Sequence, residues 1–360
     1  MSDFPAQALA IRLPAPGGAF GPGRGWHPRL PGLAVFWLIS LLALGCAGAP
    51  SPGPESTGPV PAAEPASRFA ELEPREQAIF QERARAFVAD SESLERVEVA
   101  FPGDVEALRY RVLDRDGGAP RTGLNGVVEG EIRLSLERVD ALLQTQGGDD
   151  GWLTWHAVSR DHHGVGRALL VEPRGVSVIS DIDDTVRITG IPDGWATAVE
   201  NTFFREFVEA PGMPELYREW AEEEGAIFHY VSGTPWQFYE PLRDFLFAEE
   251  VGYPRGSLHL RAVRTNLLSV RTWRDLFELT FSGANTPERK YAVIAEKLER
   301  FPQRRFRLVG DTGEGDPEIY RRLAEEFPEQ VLEIVIRDVT GDRIHRPERL
   351  RGMTVIPADS

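Results

Sequence analysis

Hydrophobic and polar positions along the chain fall into three textures. The first is an unbroken apolar run, Leu33–Gly45, set in a front end rich in Pro, Ala, Gly and Ser. The second opens at Arg68 with Phe69, Leu72, Ile79, Phe80 and Phe87 spaced among many charges, which predicts an amphipathic helix ending by about Leu94. Short strand-like runs follow at Val97–Phe101, Leu108–Leu113, Val127–Leu134, Trp152–Val158 and Ala168–Val171. Turn clusters such as Pro102-Gly103-Asp104 and Asp116-Gly117-Gly118 separate them. The third texture begins after Pro173-Arg174-Gly175. There the pattern predicts strands at Val176–Ser180, Ala226–Val231, Ser257–Leu260, Phe306–Val309 and Val331–Ile336. Helices are predicted between them at Met213–Glu224, Pro235–Glu249, Pro287–Arg300 and Pro317–Phe327. Such alternation builds a parallel sheet covered by helices on both faces, with ligands at the carboxyl ends of the strands.

The domain plan is therefore a leader over 1–45, a Pro/Ala/Gly-rich tether over 46–67, a small β-rich domain with a leading helix over 68–172, an α/β domain over 173–345 and a C-terminal tail over 346–360. Composition narrows what these parts can do. A formal net charge of −16 repels a nucleic-acid polyanion, so no nucleic-acid partner is expected. One cysteine, Cys46, excludes an internal disulfide and a cysteine-rich metal site. Lysine occurs only at 290 and 297 against a large excess of arginine, which singles out any lysine that falls beside a motif.

The strand ends of the α/β domain carry the chemistry. Strand one runs into Asp181-Ile182-Asp183-Asp184-Thr185, strand two into Ser232-Gly233-Thr234, and strand four into Gly310-Asp311-Thr312-Gly313-Glu314-Gly315-Asp316. Lys290 opens the helix before strand four. Carboxylates, a hydroxyl and an ammonium from four separate places would converge on one edge. That set suits phosphoryl transfer through an aspartyl phosphate, in which a carboxylate nucleophile divides hydrolysis into two displacements. Clustered carboxylates repel one another and call for a hard cation such as Mg²⁺. Charge developing on the phosphoryl oxygens would be met by Ser232 and Lys290. A second carboxyl two residues beyond the nucleophile lies on the same side of an extended segment and can move the proton.

These motifs, in this order, resemble those of the haloacid-dehalogenase-type phosphohydrolases. The longer strings are narrower. Ile179-Ser180-Asp181-Ile182-Asp183-Asp184-Thr185-Val186 resembles the actin-patch-type phosphatidate phosphatases and their bacterial relatives. So do Val231-Ser232-Gly233-Thr234-Pro235-Trp236-Gln237-Phe238-Tyr239 and Gly310–Tyr320, and the resemblance covers about residues 173–340. It implies a three-layer αβα fold with a parallel sheet and no large cap. It implies Asp181 as nucleophile and Asp183 as general acid/base, with Thr185, Ser232 and Lys290 completing the catalytic set. Mg²⁺ would be held by the Asp181 carboxylate, the Asp183 backbone carbonyl and Asp311, with Asp316 close by or acting through water. Phosphatidate is the implied substrate, with diacylglycerol and phosphate as products. The sequence departs from the pattern at Ser232-Gly233-Thr234, where relatives often carry further serines. Only about 27 residues separate Thr185 from Met213, too few for a lid of ordinary domain size. Two other readings stand beside this one: a phosphatase of a soluble or other non-lipid phosphomonoester, and a catalytically silent binding lipoprotein of the cell envelope.

The front end reads as an address. Arg24, His27 and Arg29 precede the apolar run, which as a helix spans about 20 Å, short of a bilayer core of about 30 Å. Leu42-Ala43-Leu44-Gly45-Cys46-Ala47 resembles a bacterial lipoprotein signal, departing from it at Ala43, where leucine is usual. The resemblance implies lipidation of Cys46, export to the bacterial cell envelope and anchorage to a membrane on the periplasmic side.

Overall fold

A computed structural model of the chain describes residues 72–88, 94–114, 116–123, 128, 130–148, 151–160, 163–261 and 286–358. The leader, Cys46 and the tether lie outside the described residues. No helix among the described residues is long and apolar enough to cross a membrane.

Helix α1 (Pro74–Val88) comes first, then strands β1 (Glu98–Ala100) and β2 (Arg109–Arg111), helix α2 (Leu136–Gln146), and strands β3 (Trp152–Val158) and β4 (His163–Leu169). The four strands form an antiparallel sheet in the order β2-β1-β3-β4. Its core is Val97, Val99, Phe101, Leu153 and Trp155 against Val139 and Leu142 of α2. Trp152–Val158 is the strand the alternation predicts. The predicted strand at Val127–Leu134 differs: its described residues make isolated bridges, including Leu113 with Glu131, and α2 follows at once. Ser135 starts that helix by accepting from the Arg138 N–H at 3.3 Å, and Gly147 ends it at φ 66°.

Beyond the junction the chain runs β5 (Gly175–Ser180), α3 (Trp195–Phe203), α4 (Met213–Glu224), β6 (Ile227–Pro235), a 3₁₀ turn at Trp236–Phe238, α5 (Tyr239–Leu246), β7 (Gly256–Arg261), α6 (Thr286–Arg300), β8 (Arg304–Asp311), α7 (Asp316–Glu326) and β9 (Val331–Asp338). The short helix α8 (Asp342–His345) and β10 (Thr354–Pro357) close it. All six strands pair in parallel, in the order β10-β9-β8-β5-β6-β7. The inner strands are apolar on both faces: Val178, Ile179, Phe228, Val231, Leu308 and Val309 are buried. One layer of the core holds Val178, Phe203, Tyr217, Phe228, Phe238 and Leu242. The other holds Ile179, Ile294, Leu298, Phe306, Tyr320 and Ile336.

The chain steps from β5 outward to β6 and β7, then returns to the other side of β5 as β8. The boundary between β5 and β8 is thus the switch point at which such sheets open a crevice. α1 precedes the small sheet in sequence yet packs on the large domain, with Phe80 and Ala84 buried there and the Phe80 ring stacked on Phe204 at 4.9 Å. Arg304 bolts the junction. Its guanidinium donates to the carbonyls of Glu172, Arg174 and Val176 and to Ser177 Oγ at 2.6–2.9 Å.

Candidate active site

The acids stand at the switch point because β5 ends at Ser180 and β8 at Asp311, side by side. Ser180 pairs with Val309, and the Asp181 N–H donates to the Val309 carbonyl at 2.8 Å. Asp181, Asp311 and Asp316 are fully buried. One carboxylate oxygen from each lies within 4.8 Å of the others, the only cluster of this kind among the described residues. Asp316 reaches them from the first turn of α7, where unpaired backbone N–H groups and the helix dipole favour a negative charge. Gly310 makes room, since a Cβ there would sit 2.2 Å from Asp316 Oδ2.

Lys290, from the first turns of α6, closes the cluster. Its Nζ donates to Asp181 Oδ1 at 2.7 Å and more closely still to Asp316 Oδ1, with Glu314 Oε2 at 3.8 Å. Burial works against the ammonium, but the carboxylates of Asp181 and Asp316 outweigh it and hold its pKa well above the usual lysine range. Burial, only partly opposed by Lys290, drives Asp181 well above the usual carboxylate range. Burial together with the neighbouring acids does the same to Asp311. Glu314, about a quarter exposed, is pushed up to about 7 chiefly by desolvation.

Asp181 Oδ2 is buried with no hydrogen-bond partner. Asp311 Oδ1 accepts from the Gly313 N–H at 2.6 Å, and Asp311 Oδ2 meets the Thr185 hydroxyl only at 3.4 Å. Three carboxylates face one ammonium, with an orphaned oxygen among them. That donor set, all hard oxygen and in excess negative charge, fits a divalent cation.

Asp183 is held differently. Its Oδ1 accepts from Arg187 Nε and Nη2 at 3.1 and 2.6 Å and from Thr189 Oγ1 at 2.8 Å. Its Oδ2 accepts from Ser232 Oγ and Thr234 Oγ1, both at 2.8 Å. Burial alone would raise its pKa, but Arg187 and the hydroxyls reverse that and leave it below the ordinary value. Ser232 Oγ also accepts the Thr234 N–H at 2.8 Å, so its proton is spent on Asp183. Asp184 adopts φ 56° and turns its carboxylate back onto the N–H groups of Thr189, Gly190 and Ile191 at 2.7–2.9 Å, which shapes the loop beside the site.

The structure therefore gathers Asp181, Thr185, Lys290, Asp311 and Asp316 into one group and joins Asp183 with Ser232 in a second one beside it. Four residues with no assignment from sequence enter as well: Arg187, Thr189 and Thr234 around Asp183, and Glu314 beside Lys290. A hydroxyl two positions after Ser232 or a charge four after Asp183 carries no signal until the turn folds them together. Trp236 and Tyr239 stack on each other at 4.6 Å and pack against the large core.

Residues 176–338 match the family described as "Phosphatidate phosphatase APP1, catalytic domain". That segment is similar to an APP1-type catalytic domain of phosphatidate-phosphatase-like hydrolases. The chain is 34% identical over 169 residues to phosphatidate phosphatase APP1 of Saccharomyces cerevisiae, which covers 46% of this chain and 26% of the yeast protein. It is 30% identical over 175 residues to an uncharacterised protein of Schizosaccharomyces pombe, covering 48% of this chain and 27% of that one. The chain thus spans about a quarter of the length of the curated relatives it matches.

Proposed function

We propose that the α/β domain is a haloacid-dehalogenase-like, Mg²⁺-dependent phosphomonoesterase that releases phosphate from phosphatidate through an aspartyl phosphate on Asp181. The observation that carries this reading is the meeting of Asp181, Asp311, Asp316 and Lys290 at the switch point, with Asp181 Oδ2 left unpartnered. Asp181, Asp311 and Asp316, with the Asp183 backbone carbonyl, would hold Mg²⁺, which neutralises the acids and polarises a phosphoryl oxygen when bound. Asp181 Oδ2 attacks phosphorus as the bond to the leaving oxygen breaks, and Lys290 faces the negative charge that develops. Asp183 rests ionised. An arriving phosphate adds negative charge beside it and raises its proton affinity, so it takes up the proton it gives to the leaving alcohol. It takes a proton back from the water that attacks the aspartyl phosphate, and inorganic phosphate departs with Asp181 restored.

A lipid substrate is supported by the similarity of residues 176–338 to the catalytic domain of a phosphatidate phosphatase and by the insert between β5 and α4. That insert carries one nine-residue helix and exposes Ile188, Trp195 and Val208. Ile188 and Val208 are adjacent, joined by a backbone hydrogen bond of 2.8 Å. An exposed apolar pair of this kind suits acyl chains better than it suits a sugar phosphate.

Phosphate release from phosphatidate in mixed micelles tests the reading. The purified chain is expected to be active with Mg²⁺, inactive after chelation and inactive as Asp181→Asn. Activity retained by Asp181→Asn removes the nucleophile assignment, and faster release from soluble monoesters than from phosphatidate removes the lipid.

A further inference from the structure

We propose that Arg187 is a positioning residue for the reaction, holding the Asp183 carboxylate toward the site, and that helix α1 extends this hold through Arg83 and Phe207. The inference rests on the function proposed above. Arg187 is 1% exposed and delivers two donors to the same oxygen of Asp183, while Thr189 takes a third approach to it. With Ser232 and Thr234 on the other oxygen, five donated bonds fix the carboxylate in plane and in direction. A carboxylate that must meet both a leaving oxygen and a water gains from being fixed, because preorganised geometry is worth orders of magnitude in rate.

Burying an arginine and an aspartate together is a weak way to stabilise a fold, since desolvation offsets much of their attraction. The arrangement around Arg187 is nevertheless built with care. Its guanidinium lies over the Phe207 ring at 4.4 Å from the centroid. A second guanidinium, that of Arg83, lies over the same ring at 3.9 Å. Two like charges around one ring repel each other. Burial first, and then the charge of Arg187, lowers the Arg83 pKa to about 10. Arg83 stays because it donates to the carbonyls of Thr202 and Arg205, both at 2.7 Å, at the end of α3. It belongs to α1, outside residues 176–338, which match the family, and 100 positions from Asp183 in sequence. A helix that precedes the small sheet thus lays its arginine on the same ring that carries Arg187 of the Asp183 clamp.

The full chain is assayed for phosphate release with Mg²⁺, on phosphatidate and on p-nitrophenyl phosphate, with thermal melting run alongside. Arg187→Met is expected to lower kcat by about 10²-fold with KM nearly unchanged, the size of effect that a misplacement of about 1 Å produces. Arg187→Lys restores part of it, and Arg83→Met lowers kcat by a smaller factor in the same direction. Should Arg187→Met fail to fold, Thr189→Val deletes one bond to the same oxygen at nearly constant shape and is expected to lower kcat alone. Folded variants with wild-type kcat, or a loss confined to KM, overturn the positioning role while leaving the proposed function standing. A wild-type chain inert on both substrates overturns that function, and this inference with it.

Discussion

Lys290 shows most clearly what single residues do here. It is the counter-charge to a buried group of acids, so its removal is felt in stability before it is felt in chemistry. Lys290→Met is expected to destabilise the metal-free chain by about 3–5 kcal/mol, as when one partner of a buried pair is removed. The sign of the pH dependence follows from the raised pKa of Asp181 and Asp311. Their proton-linked contribution is fully present below the unfolded carboxylate value and is lost as pH rises through the folded one. Without the ammonium that loss steepens, so the variant unfolds more easily at pH 8 than at pH 5, and saturating Mg²⁺ recovers part of the difference. Urea melts at the two pH values measure it, and a variant with the wild-type pH dependence refutes it. Asp181, Ser232, Lys290 and Asp311 were legible in the sequence because each sits at or just after an element whose period is plain. Arg187, Thr189 and Thr234 were not. They reach Asp183 only through the left-handed turn at Asp184 and the continuation of β6 past Ser232, which local patterns do not encode.

At the level of elements, the pairing of β6 with β7 buries a polar string that the activity does not use. His229 faces Ser257 in register, its Nδ1 2.7 Å from Ser257 Oγ, which in turn lies 2.8 Å from His259 Nε2. Burial, then the charges of Lys297 and Arg304, lower the His229 pKa to about 3. The folded chain therefore keeps this ring neutral, whereas the unfolded chain protonates it below about pH 6.5. Its contribution to stability is present above 6.5 and is lost as pH falls toward the folded value, by about 1.4 kcal/mol per pH unit. His229→Asn retains a polar partner for Ser257 and is expected to flatten the fall of the urea midpoint between pH 7 and pH 5; an unchanged slope rejects it. Strand β6 also marks where pattern reading stops. Proline at a helix start is a sound rule, yet Pro235 is extended at φ −58°, ψ 147°, pairs with Arg261 beyond a register shift, and ends the strand, not beginning a helix. In place of the predicted strand at 127–134 the described residues make isolated bridges, and a helix of 11 residues bracketed by Ser135 and Gly147 follows where none was expected. Thr354–Pro357, where no element was expected, adds the outermost parallel strand. Arg349, just before it, donates to the carbonyls of Thr312 and Glu314 and so braces the loop that carries the site's acids.

Over the whole molecule, the sequence changes texture between two stretches but cannot say which of them α1 joins, because an amphipathic helix reveals that it has an apolar face and not what that face meets. We propose that the front end is a lipoprotein-type leader, which would bear on where the chain works. Lipidation at Cys46 remains our proposal, and Cys46→Ser is expected to move the protein from the membrane fraction to the soluble one; unchanged fractionation argues against it. The Arg304 guanidinium has a mechanical consequence. It draws together the carbonyls of residues 172, 174 and 176 with the Ser177 hydroxyl, where the chain leaves the small sheet. Opening that joint would break the two bonds to residues ahead of β5, the carbonyls of Glu172 and Arg174, each worth about 1.5–3 kcal/mol. The crossing point behaves as a weld and not as a hinge, so whatever grips the antiparallel sheet also fixes the bearing of the acidic edge at the far end of β5 and β8.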